Sequence, residues 1–560
     1  MRPLGWQAPD VNEELAVALA AELGVRRLTA RILISRGLGQ PGLATRFLTP
    51  RLADLRAPLG MADLDRALDR LIDALERKQR IAVFGDYDVD GVTTAAILTT
   101  ALRAFGADVI PRVANRQAGY GLGIEDVNRF ADEGCAVLVT GDCGTSDHDA
   151  LVQGRARGLD IIVIDHHQVP SGEQLSYALI NPHRADDLFP FKGLASCGVA
   201  FYLAAALRSR LRAQAGAFDP RDLLDLVALG SVADMVPLTD ENRILVSAGL
   251  RILAARKRPG IDALCALANV PDGPLSAEDI SFRLTPRLNA AGRLGAAQLS
   301  LDLLLASTPE EAARLAADLD EKNRERQRVQ EGVWTEALEQ SRDYETDAAI
   351  VLGAEGWHPG VVGIIAAKMV DKYARPAVVI GFENGQGRGS ARTVPGFNLY
   401  QALVSCSQHL TRYGGHAGAA GMSLTMDHLG DFRRGFVAEA ARLMAAPATS
   451  MAVDAVVELR ELDVNTAEEL GRLAPFGAAN AQPLFAIAGV TAQSTRVVGQ
   501  GHLQLTLAHR GALGDAIAFG MADRDPGSGS SVDVVATAEL DTFRGNRRTR
   551  LKVKHLYPAR

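Results

Sequence analysis

The chain has 560 residues, 47% of them hydrophobic and 23% charged, which gives room for roughly three to five domains with ample core. A formal net charge of −7 excludes a protein that holds nucleic acid by bulk charge alone, though not one with local basic tracks. Five cysteines in odd number, without CxxC spacing, exclude a disulfide frame or thiolate zinc site and fit buried thiols in a reducing compartment.

The N-terminal stretch MRPLGWQAPDVNEELAV lacks a basic-then-apolar signal layout, and no apolar run reaches membrane-spanning length, so the expectation is a cytoplasmic chain with no membrane contact. Residues 11–80 carry amphipathic segments such as LDRALDRLIDALERK, broken by Gly and Pro near GLGQPG, and predict helices. From 80 to about 185 the period changes. Short apolar runs, IAVFG, AVLVTG and DIIVID, alternate with helix-like stretches, as strands buried on both faces of a parallel sheet do. Residues 200–340 return to helix and end in the charged run PEEAARLAADLDEKNRERQRVQEGVWTEALEQ, expected to bridge domains as a solvated connector. A second α/β unit, glycine-rich, runs from 346 to 448, and the short strands of 449–560 suggest a small barrel.

In open parallel sheets functional groups collect at the carboxyl ends of strands. Here GDYDVDG supplies Asp86, Asp88 and Asp90, AVLVTGD ends at Asp142, and DIIVIDHH ends in Asp165, His166 and His167. Asp234 follows the helical stretch VALGSVA. Each alone reads as a turn or cap residue, and Asp90 could simply cap the next helix. A calcium loop counted from Asp86 fails, because Ile97 stands where the twelfth-position glutamate belongs. Together, converging carboxylates and an imidazole would repel one another unless cations neutralise them. Oxygen-rich ligands suit Mn²⁺ or Mg²⁺, and a cluster of this size can hold two ions about 3.5–4 Å apart for phosphoryl hydrolysis.

In this order the motifs resemble the DHH phosphoesterase superfamily and, within it, the RecJ-type single-strand-specific 5′→3′ DNA exonucleases. The likeness extends to FLTPRLADLRAP, RQAGYGL, LTPRLNAAGRLG, EKNRERQR, GWHPGVVGIIA, GGHAGAAG, LAPFGAANAQPLF and GHLQLTL, so it covers nearly the whole chain. It implies an α/β multidomain fold: an N-terminal helical segment (1–78), a parallel-sheet DHH domain (79–255), a helical region and connector (256–345), a smaller DHH-associated α/β domain (346–448) and an OB-type β-barrel (449–560). It implies metal ligation by Asp88, Asp90, Asp142, His166 and Asp234, with Asp142 bridging two Mn²⁺ or Mg²⁺ ions. Asp86 and His167 become support or phosphate contacts, and Asp165 orients the histidine pair. The superfamily's pyrophosphatases have a histidine where this chain has Phe84, which leaves one metal with fewer protein ligands.

Substrate selection must come from the other domains. Arg116, Arg287, Asn289, Arg293, Ser390, Arg392 and His416 lie in glycine-rich segments where side-chain forks and exposed backbone N–H groups suit phosphates, and the resemblance assigns them to the 5′ end and backbone. RQAGYGL lacks an acidic residue common at that point in the family. Near the C-terminus, DTFRGNRRTRLKVKHL puts Arg544, Arg547, Arg548, Arg550, Lys552 and Lys554 around Phe543, a basic track with a stacking ring. The bland alternative is an edge strand guarded by charge. The resulting expectation is a monomeric exonuclease of single-stranded DNA with a free 5′ end, served by a helicase and a single-strand-binding protein. The alternatives are an oligoribonuclease or cyclic-dinucleotide phosphodiesterase of the same superfamily, and a non-catalytic DNA-binding scaffold.

Overall fold

The computed structural model describes all residues except 1–4, 117–118, 215, 445–449, 543–546 and 560. The chain divides into two units, one of residues 1–113, 121–285 and 448–560, the other of residues 114–120 and 286–447.

The apolar runs of the first unit form a five-stranded parallel sheet in the order Val109–Val113, Arg80–Gly85, Cys135–Gly141, Asp160–Ile164, Ala178–Ile180. Numbered along the chain this order is 2-1-3-4-5, whose switch point lies between Arg80–Gly85 and Cys135–Gly141. The strands are built of Ile, Val, Leu and Ala because helices cover both faces, and the central residues are fully buried.

The C-terminal strands of the same unit close into a barrel. Phe485–Val498 pairs with both His502–His509 and Ser531–Asp541, while Arg548–Pro558 joins Ala512–Ala518 to Ser531–Asp541. Its core is continuous with that of the N-terminal helices: Leu28, Ile32, Leu33 and Phe47 pack in one cluster with Leu470, Phe485, Leu505 and Val534. The short strand Gly5–Gln7 also pairs in parallel with Ser450–Ala452.

In the second unit, Arg412–Gly415, Ala419–Thr425, Gln386–Arg392, Ala377–Glu383 and Ile350–Glu355 form a mixed sheet in that order. The charged run 309–340 is a helix, Pro309–Ser341, as expected, but it is not solvated throughout. Ala312, Leu315, Ala316 and Leu319 are buried near its start, while Val333 and Ala337 join Ile350, Trp357 and Ile365 in a core near its end. Apolar residues at helical spacing at both ends, hidden among charges, produce this.

Candidate metal centre

The four strands that carry the site end level with one another. Gly85 is in register with Gly141, Gly141 with Ile164, and Ile164 with Ile180. The next residue of each strand is then Asp86, Asp142, Asp165 or Asn181. The ladder runs one step further, with Asp86 N donating to Gly141 O, Asp142 N to Ile164 O and Asp165 N to Ile180 O. A row of carboxylates at one sheet edge is thus a product of register.

GDYDVDG makes the sharpest turn of this edge. A side chain on Gly85 would meet Gly91 O at 2.3 Å, and one on Gly91 would meet the Asp86 backbone at 2.5 Å, so the strand and following helix touch through two glycines. The helix Val89–Ala104 is capped by Asp88, whose Oδ1 accepts from Asp90 N at 3.0 Å and Gly91 N at 3.1 Å. The capping role the sequence offered to Asp90 therefore falls to Asp88. Asp90, in the first turn, is held by a second helix, Ser196–Arg210, whose opening N–H groups donate to it: Ser196 N to Oδ2 at 2.8 Å and Cys197 N to Oδ1 at 3.0 Å. Gly230 leaves the room, since a side chain there would approach Asp90 Oδ1 to 2.9 Å.

Asp142 adopts a left-handed backbone conformation, φ 64°, and accepts from the Ser196 hydroxyl at 3.0 Å. Asp165 Oδ1 accepts from the backbone N–H groups of His166 and His167 and bonds the His167 ring Nδ1 at 2.7 Å. Asn181, from the fourth strand end, ties this loop down by donating to His167 O and Thr145 Oγ1. Asp234 caps the C-terminus of helix Leu224–Ala233 and lies 3.4 Å from His166 Nε2.

His166 Nε2 is buried and has no hydrogen-bond partner, although oxygens of Asp142 and Asp234 stand 3.3 and 3.4 Å away and one of Asp90 stands 3.9 Å away. Among the described residues three overlapping groups could each hold a metal ion: Asp90, His166 and Asp234; Asp142, His166 and His167; Asp86, Asp88 and Asp142. The charge balance agrees. Burial, and then repulsion from Asp90 and Asp88, raise Asp142 well above the ordinary carboxyl range and Asp234 to about 8. Asp88 is raised by burial and by Asp90. At Asp165 burial pushes upward, but the bond from His167 and that residue's charge outweigh it and hold the carboxyl at about 2. An oxygen-rich donor set with one orphaned imidazole nitrogen, and carboxyls raised by burial and mutual repulsion for want of counter-charge, fits hard or borderline divalent cations. Asp86 and His167, expected to be supporting residues, lie within these groups.

The second unit gathers part of the expected phosphate set. Arg293 donates to Gly360 O at 3.0 Å, in the first turn of helix Pro359–Tyr373. Arg392 donates to Ser390 Oγ at 2.8 Å, and both side chains face Gly363 of that helix, where an added side chain would reach them at 3.4 and 3.0 Å. Burial first, and then the charge of nearby Arg116, lower the Arg392 pKa. Basic side chains along the first turns of a helix are an arrangement that suits an anion. Arg287 instead forms an ion pair with Asp320, Asn289 is half-buried on the same helix as Arg293, and His416 is exposed at a hairpin tip.

The C-terminal track differs from expectation. Arg548, Arg550 and Lys552 share a strand, but Arg548 pairs with Asp515 and Asp541, Arg550 with Asp541, and Lys552 with Glu539. Arg547 pairs with Glu468, and Phe543 and Arg544 lie outside the described residues. Acids on neighbouring strands, unseen in the local sequence, pair with these side chains, while Lys554 on the same strand is exposed. Phe519, in the turn after strand Ala512–Ala518, is 57% exposed and edge-on to His502 at 5.2 Å. Sequence reasoning missed Ser196 and Asn181; the strand-end rule that found Asp165 would also have found Asn181 after YALI.

Three family profiles match the chain: the DHH family N-terminal domain over residues 80–231, the DHHA1 domain over 346–441 and the RecJ OB domain over 453–555. The chain is 38% identical to a single-stranded-DNA-specific exonuclease RecJ of Dickeya dadantii, with 98% of each covered. It is 33% identical to the RecJ of Bacillus subtilis, over 98% of this chain and 70% of the relative. Among solved structures, RecJ from Thermus thermophilus in complex with Mn²⁺ superposes with a TM-score of 0.86 at 30% identity, covering all of this chain and 80% of that one.

Proposed function

We infer the chemistry from the premise that this chain belongs to the RecJ family of single-stranded-DNA-specific exonucleases. It is a hydrolase that degrades single-stranded DNA 5′→3′ to 5′-mononucleotides in recombination and repair, with two divalent cations, Mn²⁺ or Mg²⁺, as cofactors. Bound in the acidic cluster, such cations activate water at neutral pH and neutralise charge on a phosphodiester.

The observation that carries the site assignment is the level row of strand ends, which brings buried carboxylates around an imidazole nitrogen without a hydrogen-bond partner. Asp88, Asp90, Asp142, His166 and Asp234 would hold the cations, and Asp142, which belongs to two of the three candidate groups among the described residues, would serve both. Two helix N-termini fix Asp88 and Asp90, so neither carboxylate needs to reorganise when loaded. Asp86 lies within the Asp88–Asp142 group and supports it. Asp165 orients His167, whose half-exposed ring is left to meet the scissile phosphate.

In the second unit Arg116, Arg293, Ser390 and Arg392, with the first turn of helix Pro359–Tyr373, grip the 5′-terminal phosphate. Arg287, Asn289 and His416 contact the following backbone. The barrel carries the rest of the strand. The same reading keeps the five-part division of the chain given above, a cytoplasmic monomer, and a helicase and single-strand-binding protein as suppliers of substrate. The test is degradation of single strands blocked at the 5′ or the 3′ end, with duplex as control. Only strands with a free 5′ end should shorten, in Mn²⁺ or Mg²⁺. Asp142→Ala should abolish the reaction, and abundant residual activity would overturn the metal assignment.

A further inference from the structure

Arg243 is the largest fully buried side chain of the described residues, with 2% of its surface exposed. Among the described residues it has no carboxylate as a hydrogen-bond partner. Its guanidinium donates to four carbonyls: Phe47 O at 2.7 Å, Leu473 O at 2.8 Å, Ala474 O at 2.7 Å and Arg472 O at 3.2 Å. It also stacks 3.7 Å from the centroid of the Phe47 ring. Phe47 lies in the last turn of helix Pro41–Leu48, and Arg472 to Ala474 follow the end of helix Val464–Gly471. Carbonyls at helix C-termini lack partners within the helix and carry partial negative charge. Two helices from opposite ends of the chain therefore share one cation as their common C-terminal cap. Arginine suits the place because its planar fork offers five donors and stays charged.

Arg243 stands one turn into helix Asp240–Ala254, directly after the loop that follows Asp234. That loop is pinned on both sides. Leu238 N donates to Ala478 O at 2.9 Å, and Leu238 packs on Gly477, where any side chain would approach it to 2.7 Å. Asn242 Nδ2 donates to Pro237 O at 3.0 Å and to Gly193 O at 2.6 Å, three residues before the helix N-terminus that holds Asp90.

We propose that Arg243 is a positioning residue for Asp234: by fastening the helix after the Asp234 loop to the N-terminal helices and the segment leading into the barrel, it fixes where that carboxylate stands in the metal centre. The proposal rests on the reading of Asp234 as a metal ligand. It makes the segment 472–481, which holds Arg243 and Leu238, part of the metal centre's frame.

The test is Mn²⁺ titration by calorimetry on the full chain, beside far-UV circular dichroism and thermal melting. Arg243→Lys keeps the charge but cannot reach both helix ends, and should weaken Mn²⁺ binding roughly tenfold while the native spectrum is retained. Phe47→Leu, which removes only the stacked ring, should shift binding the same way by less. Phe436→Leu is the structural control. Phe436 is buried in the core of the second unit, whereas 234–243 and 472–481 belong to the first, so this variant should lower the melting temperature and leave Mn²⁺ affinity unchanged. If Arg243→Lys and Phe47→Leu, like Phe436→Leu, melt earlier with wild-type affinity, Arg243 is a fold residue only and the proposal is overturned. If Asp234→Asn binds Mn²⁺ like wild type, the ligand reading fails instead, and the two failures are told apart.

Discussion

The Ser196 hydroxyl donates to Asp142 Oδ1 at 3.0 Å, and both residues are buried. The Ser196 backbone N–H meanwhile holds Asp90. One residue thus serves two carboxylates through two different groups, and substitution can separate them. Ser196→Ala keeps the N–H and loses the hydroxyl. Partners of this kind set carboxylate orientation, and their loss typically weakens metal binding about 10- to 100-fold. We expect the lower end, roughly tenfold, seen as a rise in the Mn²⁺ concentration for half-maximal activity, because Asp90 stays fixed. A metal dependence like that of wild type would reduce Ser196 to a helix residue.

Metal binding should release protons. Asp234 is raised to about 8 by burial and by the nearby carboxylates, and Asp142 is also raised well above the ordinary range. A ligand carboxyl must lose its proton to coordinate. Below about pH 8 the bound proton competes with the metal, so Mn²⁺ affinity should climb from about pH 6 to about 8 and then flatten. Stability of the metal-free chain should run the other way. A carboxyl raised on folding contributes stability below its ordinary value of 3.8 and loses it as pH rises toward about 8. Calorimetry in buffers of different ionisation enthalpy measures the first effect, and melts with chelator across this range measure the second. Binding heats independent of buffer would contradict the charge assignment.

These expectations depend on features of unequal legibility. Asp86, Asp142 and Asp165 were readable because each directly follows an apolar run, and strand ends in parallel sheets collect in one place. What could not be read was the division of labour between Asp88 and Asp90, two residues apart. It is set by the helix Ser196–Arg210, far downstream in the chain, whose N–H groups select Asp90. The pairing of the basic track 548–554 was hidden for the same reason. Asp515, Asp541 and Glu539, which take Arg548, Arg550 and Lys552 as partners, come from strands that only the barrel's closure brings alongside. Arg243 carries no local signal at all: an arginine in an otherwise amphipathic helix reads as surface, and only the convergence of two distant helix ends makes it core.

The barrel can be tested on this point. Arg550 already has Asp541 as a partner, so Arg550→Ala removes a neutralised charge and should change affinity for long single strands little. Phe519 is exposed beside His502 in the turn directly after strand Ala512–Ala518, and offers a face for stacking. Base stacking on such a ring is worth about 1–3 kcal/mol. Phe519→Ala should therefore weaken binding of a long strand by a comparable amount while leaving cleavage of very short oligonucleotides near wild type. Fluorescence anisotropy on strands of graded length measures this. The reverse ranking, with Arg550→Ala the more damaging, would restore the basic track as the contact surface.

Recognition of the 5′ end turns on Arg392. This side chain is largely buried, its pKa is lowered by burial and by Arg116, and it donates to Ser390 Oγ and Ala391 O, neither of them an anion. Two nearby arginines that repel each other beside a helix N-terminus gain when a doubly charged phosphate arrives, through charge-assisted bonds and relief of that repulsion. A 5′-phosphorylated strand should therefore have a lower KM than the same strand with a 5′-hydroxyl, and the difference should shrink as salt rises. Arg392→Gln should raise KM for the phosphorylated strand by roughly one to two orders of magnitude, on the scale of a lost charge-assisted hydrogen bond of about 1.5–3 kcal/mol. It should affect the hydroxyl strand much less, so that the variant no longer distinguishes them. Arg287→Gln, which removes an arginine already paired with Asp320, should raise KM for both strands together if Arg287 meets the strand beyond the terminal phosphate. Steady-state kinetics on the two substrates decides the matter. An Arg392→Gln enzyme that keeps the full preference for a 5′-phosphate would place the end-binding pocket elsewhere.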